Sequence, residues 1–454
     1  MHNRLLSRRE FMRAGAGSTV AGSAAGIPIL KPRLMLQASP RVAAPSDRVR
    51  LAAIGTGVRG CTLIRTALSC PGAEIVAACD LYDGRLMAAK ECANNDIFTT
   101  KDYRAILDRQ DVDAVFVATP DHWHAKIVQE VCAAGKDVYC EKAMSHTVEQ
   151  GFAMVEAMQT HKRIVQVGSQ RASSVLYSKA KEIYDSGVLG RVTAIEAWLD
   201  INNPSGAWVY PIPPDASEQT IDWKQFLGSA PVRPFDPKRF FRWRCYRDYG
   251  EGLPGDIYVH MLTGIHFIAG ISAPPVQAGS MGGLFQWTDD REVPDLMWTL
   301  YDYQGFRVSV RSNLNNASID VTRFFGTKGT LEIRGAILTF VPQDTKPRPE
   351  GYSILGWPKK LREDYLREWH AEHPEPVPGQ DAVATEAQSF KAPDGYDDTR
   401  DHINNFLESV RTRQSPVEDA VFGNNTALAC HMANESYLKK TAASWDATTR
   451  RITA

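Results

Sequence analysis

Val49-Arg50-Leu51-Ala52-Ala53-Ile54 runs directly into Gly55-Thr56-Gly57-Val58-Arg59-Gly60, and this stretch decides the fold. The first six residues, apolar except for Arg50, read as a buried strand. A helical pattern, Cys61 to Ser69, follows the glycines. GxGxxG between a strand and a helix has a mechanical meaning. The first glycine permits the tight turn, the second lets backbone approach a pyrophosphate, and the third lets helix and strand pack closely. A glycine turn without a ligand is the alternative. Against it stands a second strand, Glu74 to Cys79, ending in Asp80. An acidic residue about twenty positions beyond the motif is where a ribose 2′-hydroxyl finds its partner. A carboxylate there repels a 2′-phosphate, so NAD is favoured over NADP; Arg85 lies near enough to weaken that preference.

The alternation continues outward. Thr100 to Asp108 reads as a helix, and Ala114 to Ala118 as a strand ending in Thr119-Pro120. Ala125 to Ala134 reads as a helix stopped by Gly135, and Asp137 to Cys140 as a strand ending in Glu141-Lys142. Strands alternating with helices imply a parallel sheet with right-handed crossovers. Ligands gather at the carboxyl ends of such strands, where Gly55, Asp80, Thr119, Glu141 and Lys142 fall. The fold class is therefore α/β, with a Rossmann NAD(P)-binding domain over residues 45–170.

Upstream, Ser7-Arg8-Arg9-Glu10-Phe11-Met12 precedes a small and apolar stretch, Ala14 to Leu30. An arginine pair before such a run has the form of a twin-arginine export signal. Residues 1–44 are assigned to signal and linker, with cleavage between Leu36 and Ala44, and the periplasm or another exported location is expected. A basic N-terminus on a cytoplasmic protein is the alternative. Export of a folded chain allows a cofactor to be loaded first. It also allows the eight cysteines, none in a CxxC pair, to remain core-packed thiols, although their even number leaves disulfides open. No metal site is expected from them.

Downstream, residues 171–454 form a second domain. Arg191–Leu199, Leu296–Tyr303, Phe306–Arg311 and Thr330–Ile333 read as strands. The segment 200–255 is rich in Trp, Pro and Tyr, and a connection this long is usually functional. Within it, Arg242, Arg244 and Tyr249 are candidates for a sugar site, since aromatic faces stack on sugar rings and arginine fixes hydroxyl or carboxylate groups. A packed loop with surface arginines is the alternative. Residues 340–400 read as an irregular surface insertion, and His402–Arg411 and Asn424–Lys439 as closing amphipathic helices. The 454-residue chain has a formal net charge of -1 and 23% charged residues. That balance does not point to nucleic acid, and no segment after residue 44 is apolar for long enough to span a membrane.

GTGVRG at 55–60, ATPDHWH at 118–124, CEKA at 140–143 and GDIYVH at 255–260 together resemble the Gfo/Idh/MocA oxidoreductases, typified by glucose–fructose oxidoreductase and inositol dehydrogenase. VGSQR at 167–171, DWKQFLG at 222–228 and FRWRCYRDYG at 241–250 are similar to the exported branch of that family. The resemblance implies a C-terminal α/β domain with an open, mainly antiparallel sheet. One face of that sheet covers the nicotinamide and the other makes a homo-oligomer interface. It places Gly55, Gly57, Val58, Arg59, Gly60, Asp80, Thr119, Pro120, His124, Glu141 and Lys142 at the cofactor. It makes Lys142, Asp256 and His260 the catalytic set. Two positions depart from the family pattern. Ala143 stands where proline usually follows the lysine, and Thr263 where an aspartate often follows the histidine, with His266 a substitute substrate contact.

The chemistry agrees with these residue types. Oxidising an alcohol by hydride transfer needs a base for the hydroxyl proton and a positive group beside the forming carbonyl oxygen. A sugar or polyol dehydrogenase is therefore expected. An NAD-dependent glycosidase acting by transient oxidation and elimination, and a non-catalytic sugar-binding protein, are the alternatives.

Overall fold

The computed structural model describes residues 27–31, 47–343, 349, 351–374 and 386–454. The arginine pair at 8–9, residues 14–26 of the apolar stretch and the expected cleavage region 36–44 lie outside the described residues.

Six strands form the first sheet: β1 (Val49–Ile54), β2 (Ala73–Cys79), β3 (Phe98–Thr100), β4 (Ala114–Val117), β5 (Asp137–Glu141) and β6 (Val165–Gly168), in the order β3-β2-β1-β4-β5-β6. Every pairing is parallel. β1 lies between β2 and β4, and its side chains alternate between two cores. Leu51 and Ala53 enter one, and Ala52 and Ile54 the other. The expected helix from Thr100 to Asp108 is shorter, spanning Arg104–Leu107. Thr100 is held in β3 opposite Cys79, and Asp102 turns the chain by accepting the Arg104 N–H at 3.0 Å.

Both cores of this half are completed from the far end of the chain. Helix Asp398–Thr412 supplies Ile403, Phe406 and Leu407 to the Leu51 core, and helix Ala420–Lys439 supplies Ala420 and Ala427 to the other. The packing of these cores does not stop at residue 170.

The second sheet has ten strands: β7 (Val192–Asp200), β8 (Gln277–Gly283), β9 (Leu296–Tyr303), β10 (Phe306–Asn313), β11 (Ser318–Gly326), β12 (Gly329–Arg334), β13 (Ile337–Pro342), β14 (Gln388–Lys391), β15 (Ala443–Asp446) and β16 (Arg451–Thr453). Their order is β14-β13-β12-β11-β7-β10-β9-β8-β15-β16, antiparallel except where β7 meets β10. Ile195, Val308, Val310 and Phe324 on its inner face join the core with helices Val175–Asp185 and Val259–Ala269. The outer face leaves Met281 82% and Trp298 53% exposed. Residues 27–31 lie beside β14, where Leu30 N–H donates to Lys391 O at 2.7 Å.

The expectation of an irregular insertion over 340–400 is corrected in part. β13 ends and β14 lies within that range, and helix Lys359–Glu372 forms with no buried residue. Its apolar Leu361, Tyr365 and Trp369 fall four apart among charges, too sparse a stripe to stand out in the sequence. Among the described residues, no helix is long and apolar enough to cross a membrane.

Candidate active site

The glycine loop between β1 and helix Val58–Leu68 is shaped for a close ligand. Gly55 has φ +87°, and a Cβ there would lie 2.6 Å from the Ala118 carbonyl. A Cβ on Gly60 would lie 2.0 Å from Gly55 O. Gly57 differs: a Cβ would meet nothing nearer than the Arg85 guanidinium, at 3.4 Å. The first and third glycines are required by the protein's own packing, and the second leaves its backbone open on the cleft. Val58, at the start of the helix, is 82% exposed beside that opening.

Asp80 ends β2 with one oxygen accepting Thr56 N–H at 2.8 Å and the other accepting Tyr82 N–H at 3.1 Å. Arg85 stands 3.7 Å away. Arg59 Nε donates to Glu141 at 2.6 Å. Burial opposes the charge of Arg59, but Glu141 overrides it and holds the guanidinium above its usual range. Arg59 Nη2 and Thr119 Oγ1 are buried without a hydrogen-bond partner. Buried polar atoms are seldom left so. Both residues line one cleft of about 380 Å³, together with Gly55, Gly57, Val58, Asp80 and Pro120. Open backbone, a helix N-terminus, a ribose-type acid and two orphaned polar groups fit a dinucleotide.

Arg244 lines the same cleft. Its Nε donates to Asp256 Oδ1 at 2.9 Å, and Lys142, at the end of β5, pairs with the same oxygen. Lys142 Nζ also donates to the Asp256 carbonyl at 3.1 Å, and Trp208 Nε1 donates to Asp256 Oδ2 at 2.9 Å. Asp256 lies in a π-helical turn, Pro254–Tyr258, that leads into helix Val259–Ala269 and His260. Burial raises the affinity of Asp256 for a proton. Lys142 and Arg244 overcome this and hold it well below the usual carboxylate range. At His260 burial acts in the other sense. Burial first, then the charges of Lys142 and Arg171, lower it to about 3. Its Nδ1 lies 3.0 Å from Ser169 O, a pure acceptor, so Nδ1 carries the hydrogen and Nε2 keeps a lone pair. The set comprises a fixed anion, a cation and a neutral base.

Not every expected residue reaches the cleft. Tyr249 was expected to contact substrate, but it is 0% exposed, packed 4.9 Å from Phe226 and 5.3 Å from His122. His266, the other expected substrate contact, is also 0% exposed and bonds Tyr303 OH at 2.7 Å. Both belong to the core. Arg242 acts at one remove: its Nε donates to the carbonyl of Tyr210, which lines the cleft. His124 likewise is buried, its ring nitrogens 2.6 Å from Ala143 O and 2.9 Å from Thr119 O, so it ties two cofactor-side loops together. The peptide between Lys142 and Ala143 is cis. Trp243, part of the aromatic and basic cluster over 241–250, lines the cleft, whereas Trp208 and the cleft-lining Tyr210, Phe226, Phe240 and Phe241 were not singled out by sequence as site residues. Their only signal was the aromatic richness of 200–255.

Residues 49–169 match the family model described as an oxidoreductase family with an NAD-binding Rossmann fold, GFO_IDH_MocA. Inositol 2-dehydrogenase from Salmonella typhimurium is 33% identical over 140 residues, 30% of this chain and 42% of that protein. Glycosyl hydrolase family 109 protein 1 from a Shewanella species is 27% identical over 238 residues, 46% of this chain and 50% of that one. The chain thus matches half or less of the length of these curated relatives. Among solved structures, levoglucosan dehydrogenase with NADH and levoglucosan superposes with TM-score 0.62 at 17% identity, over 87% of this chain and 99% of that one. Aldose-aldose oxidoreductase from Caulobacter crescentus, with glycerol, gives 0.61 at 17% identity, over 87% and 99%. At such identities the likeness is one of fold. The family match therefore covers residues 49–169, the dinucleotide half, and the likeness of the remainder to those solved oxidoreductases, where a mostly antiparallel ten-stranded sheet follows, is one of fold.

Proposed function

We propose that this protein oxidises a hydroxyl of a sugar or polyol with a tightly held NAD, and that it works outside the cytoplasm after twin-arginine export. One observation carries the chemistry. A single cleft runs from the glycine loop to Arg244, whose guanidinium shares Asp256 Oδ1 with Lys142. Gly55, Gly57, Val58, Arg59, Asp80 and Thr119 would hold the dinucleotide, which when bound supplies the acceptor for the hydride leaving the carbinol carbon. The chain's own groups manage the rest. His260 Nε2 takes the hydroxyl proton. Lys142 offers positive charge to the oxygen as it becomes a carbonyl. Asp256, its oxygens occupied by Lys142, Arg244 and Trp208, stays ionised and anchors the lysine rather than accepting a proton.

A second reading has one observation in its favour: the match to glycosyl hydrolase family 109 proteins extends beyond the dinucleotide half. The same oxidation at a ring carbon acidifies the neighbouring C–H and permits elimination of a glycosidic group, with the electrons returned afterwards.

Acid precipitation of the purified protein, followed by chromatography and mass spectrometry, is expected to release near-stoichiometric NAD(H). Release of NADP(H) would overturn the role of Asp80. A Gly57→Asp form, with a carboxylate set where backbone should meet a pyrophosphate, is expected to release none. An empty wild type that also takes up no added dinucleotide would favour the non-catalytic sugar-binding alternative. Redox-neutral cleavage of a glycoside, with no net change in the bound dinucleotide, would select the glycosidase.

A further inference from the structure

We infer that the segment from Trp208 to Phe241 is a clasp that closes the adenosine end of the cleft and governs how fast the dinucleotide leaves. The inference rests on the dinucleotide reading above. The adenosine end is marked by Asp80, the carboxylate placed for the ribose, with Leu81 and Arg85 beside it in the cleft lining. In a bare dinucleotide fold this end of the groove faces solvent. Here Gln225, Phe226, Phe240 and Phe241 of the clasp line the same cleft.

The clasp is fastened where it crosses the dinucleotide half. Tyr82 OH donates to Asp215 at 2.5 Å. Tyr82 and Ile221 form an antiparallel bridge, with Asp83 N–H donating to Thr220 O at 3.1 Å and Asp222 N–H to Leu81 O at 2.9 Å. Lys101 Nζ donates to Thr220 O at 3.2 Å, and Gln225 Nε2 donates to Lys101 O at 3.1 Å. The indole of Trp123 donates to Phe226 O at 2.9 Å.

The wall itself is aromatic. Helix Pro237–Phe241 is set by Asp236, whose side chain accepts the N–H groups of Lys238 and Arg239. It presents Phe240 and Phe241 to Arg85, whose guanidinium lies 5.1 Å from each ring centroid. Phe241 also meets the Tyr82 ring edge-on at 5.3 Å. Arg85 therefore lies between the open face of Gly57 and this wall, where an adenosine ribose or its phosphates would pass. For the dinucleotide to escape at this end, the wall must lift, and the Tyr82–Asp215, Leu81–Asp222 and Asp83–Thr220 bonds must open together. A ligand held this way leaves at the rate of that opening.

Release is read directly. Trp123 and Trp243 line the cleft, so tryptophan excitation should sensitise the emission of bound NADH. The protein is loaded with NADH, chased with excess NAD⁺, and the decay followed. Wild type is expected to hold NADH for minutes or longer, toward the slow end of protein residence times. Phe240→Ala/Phe241→Ala should release it at least tenfold faster. Tyr82→Phe, which keeps the ring packed on Phe241 and removes only the bond to Asp215, should release it about threefold faster or more; this variant keeps the test decisive if the double variant fails to fold. Millisecond release from wild type, or equal rates in wild type and Tyr82→Phe, would overturn the clasp while leaving the oxidoreductase reading intact. Absence of sensitised emission with NADH and with NADPH, from protein that also yields no dinucleotide on acid precipitation, would instead sink the dinucleotide reading, and the clasp with it.

Discussion

Lys142→Ala is expected to lower turnover by about a thousandfold while leaving the dinucleotide bound, because in the proposed mechanism the substitution removes the cation beside the carbinol oxygen without opening the proposed cofactor cradle. Gly55, Gly57, Asp80 and Thr119, which are proposed to cradle it, line the cleft, and Lys142 does not. Nor does Asp256 become an orphaned charge. It keeps Arg244 on Oδ1 and Trp208 on Oδ2, so the buried carboxylate remains ionised and in place. The loss is therefore one of charge at the reacting oxygen. A second consequence follows at His260. The Lys142 charge is, after burial, the main reason its pKa lies near 3. Without the lysine that value rises, and any acid limb in the residual rate moves to higher pH. Reduction of the bound dinucleotide by a responsive sugar or polyol, followed by its absorbance, gives the rate; acid release gives the occupancy. Residual turnover within tenfold of wild type would show that Lys142 is not the electrophilic group. Parallel loss of rate and of dinucleotide would show that it belongs to the cradle instead.

How much of this was legible in the sequence depended on the range of the forces involved. The glycine loop, β1 and Asp80 are local: steric demands at Gly55 and Gly60 are met by the next strand, and the hydrophobic run of β1 says that both its faces are covered. Lys142, Asp256 and His260 were legible through motifs, and the structure brings Lys142 and Asp256 into contact. Trp208 was not legible. Its hydrogen bond spans 48 residues, and nothing in a Trp-rich loop says which indole turns inward. Tyr249 shows the reverse failure. The cluster of aromatic and basic residues over 241–250 pointed to the neighbourhood of the cleft, which Trp243 and Arg244 line, but it carried no information on side-chain direction, and Tyr249 points into the core. His266 could have been set aside on geometry. Six residues beyond His260 on one helix is about 600°, some 240° around the axis, which turns it away from the face His260 uses. The return of helices Asp398–Thr412 and Ala420–Lys439 to the dinucleotide half was invisible for the same reason as Trp208: an amphipathic stripe states that a partner exists, not which one.

Buried histidines give the second large expected effect, a steep loss of stability on acidification. His122, His266 and His402 are buried, and each is depressed chiefly by burial, to about 4, about 3 and about 4 respectively. His260 at about 3 adds a fourth. The sign follows from which state takes the proton. Below about pH 6.5 the unfolded chain protonates these imidazoles, whereas the folded chain does not until pH approaches 4 or lower. Their stabilising contribution is therefore complete above about pH 6.5 and is lost as pH falls toward 4, at ~1.4 kcal/mol per pH unit for each group. Two buried carboxyls oppose this. Glu418 is raised well above its usual range by burial, and Asp121 is raised by the same cause, so the folded state binds protons there that the unfolded state does not, and acidification favours folding through them. Asp398 is raised as well, chiefly by burial, and opposes the histidines in the same sense, but the four imidazoles outnumber these carboxyls, so the expected net effect of acidification is a loss of stability. Against an ordinary folding free energy of ~5–15 kcal/mol, ~1.4 kcal/mol per pH unit for each uncompensated imidazole is a large effect. Urea unfolding at pH 7, 6 and 5 is expected to show the midpoint falling throughout, with net proton uptake on unfolding near pH 5.5. A midpoint unchanged or rising between pH 7 and 5 would mean that the buried carboxyls outweigh the imidazoles and that these histidines do not stay neutral in the folded protein.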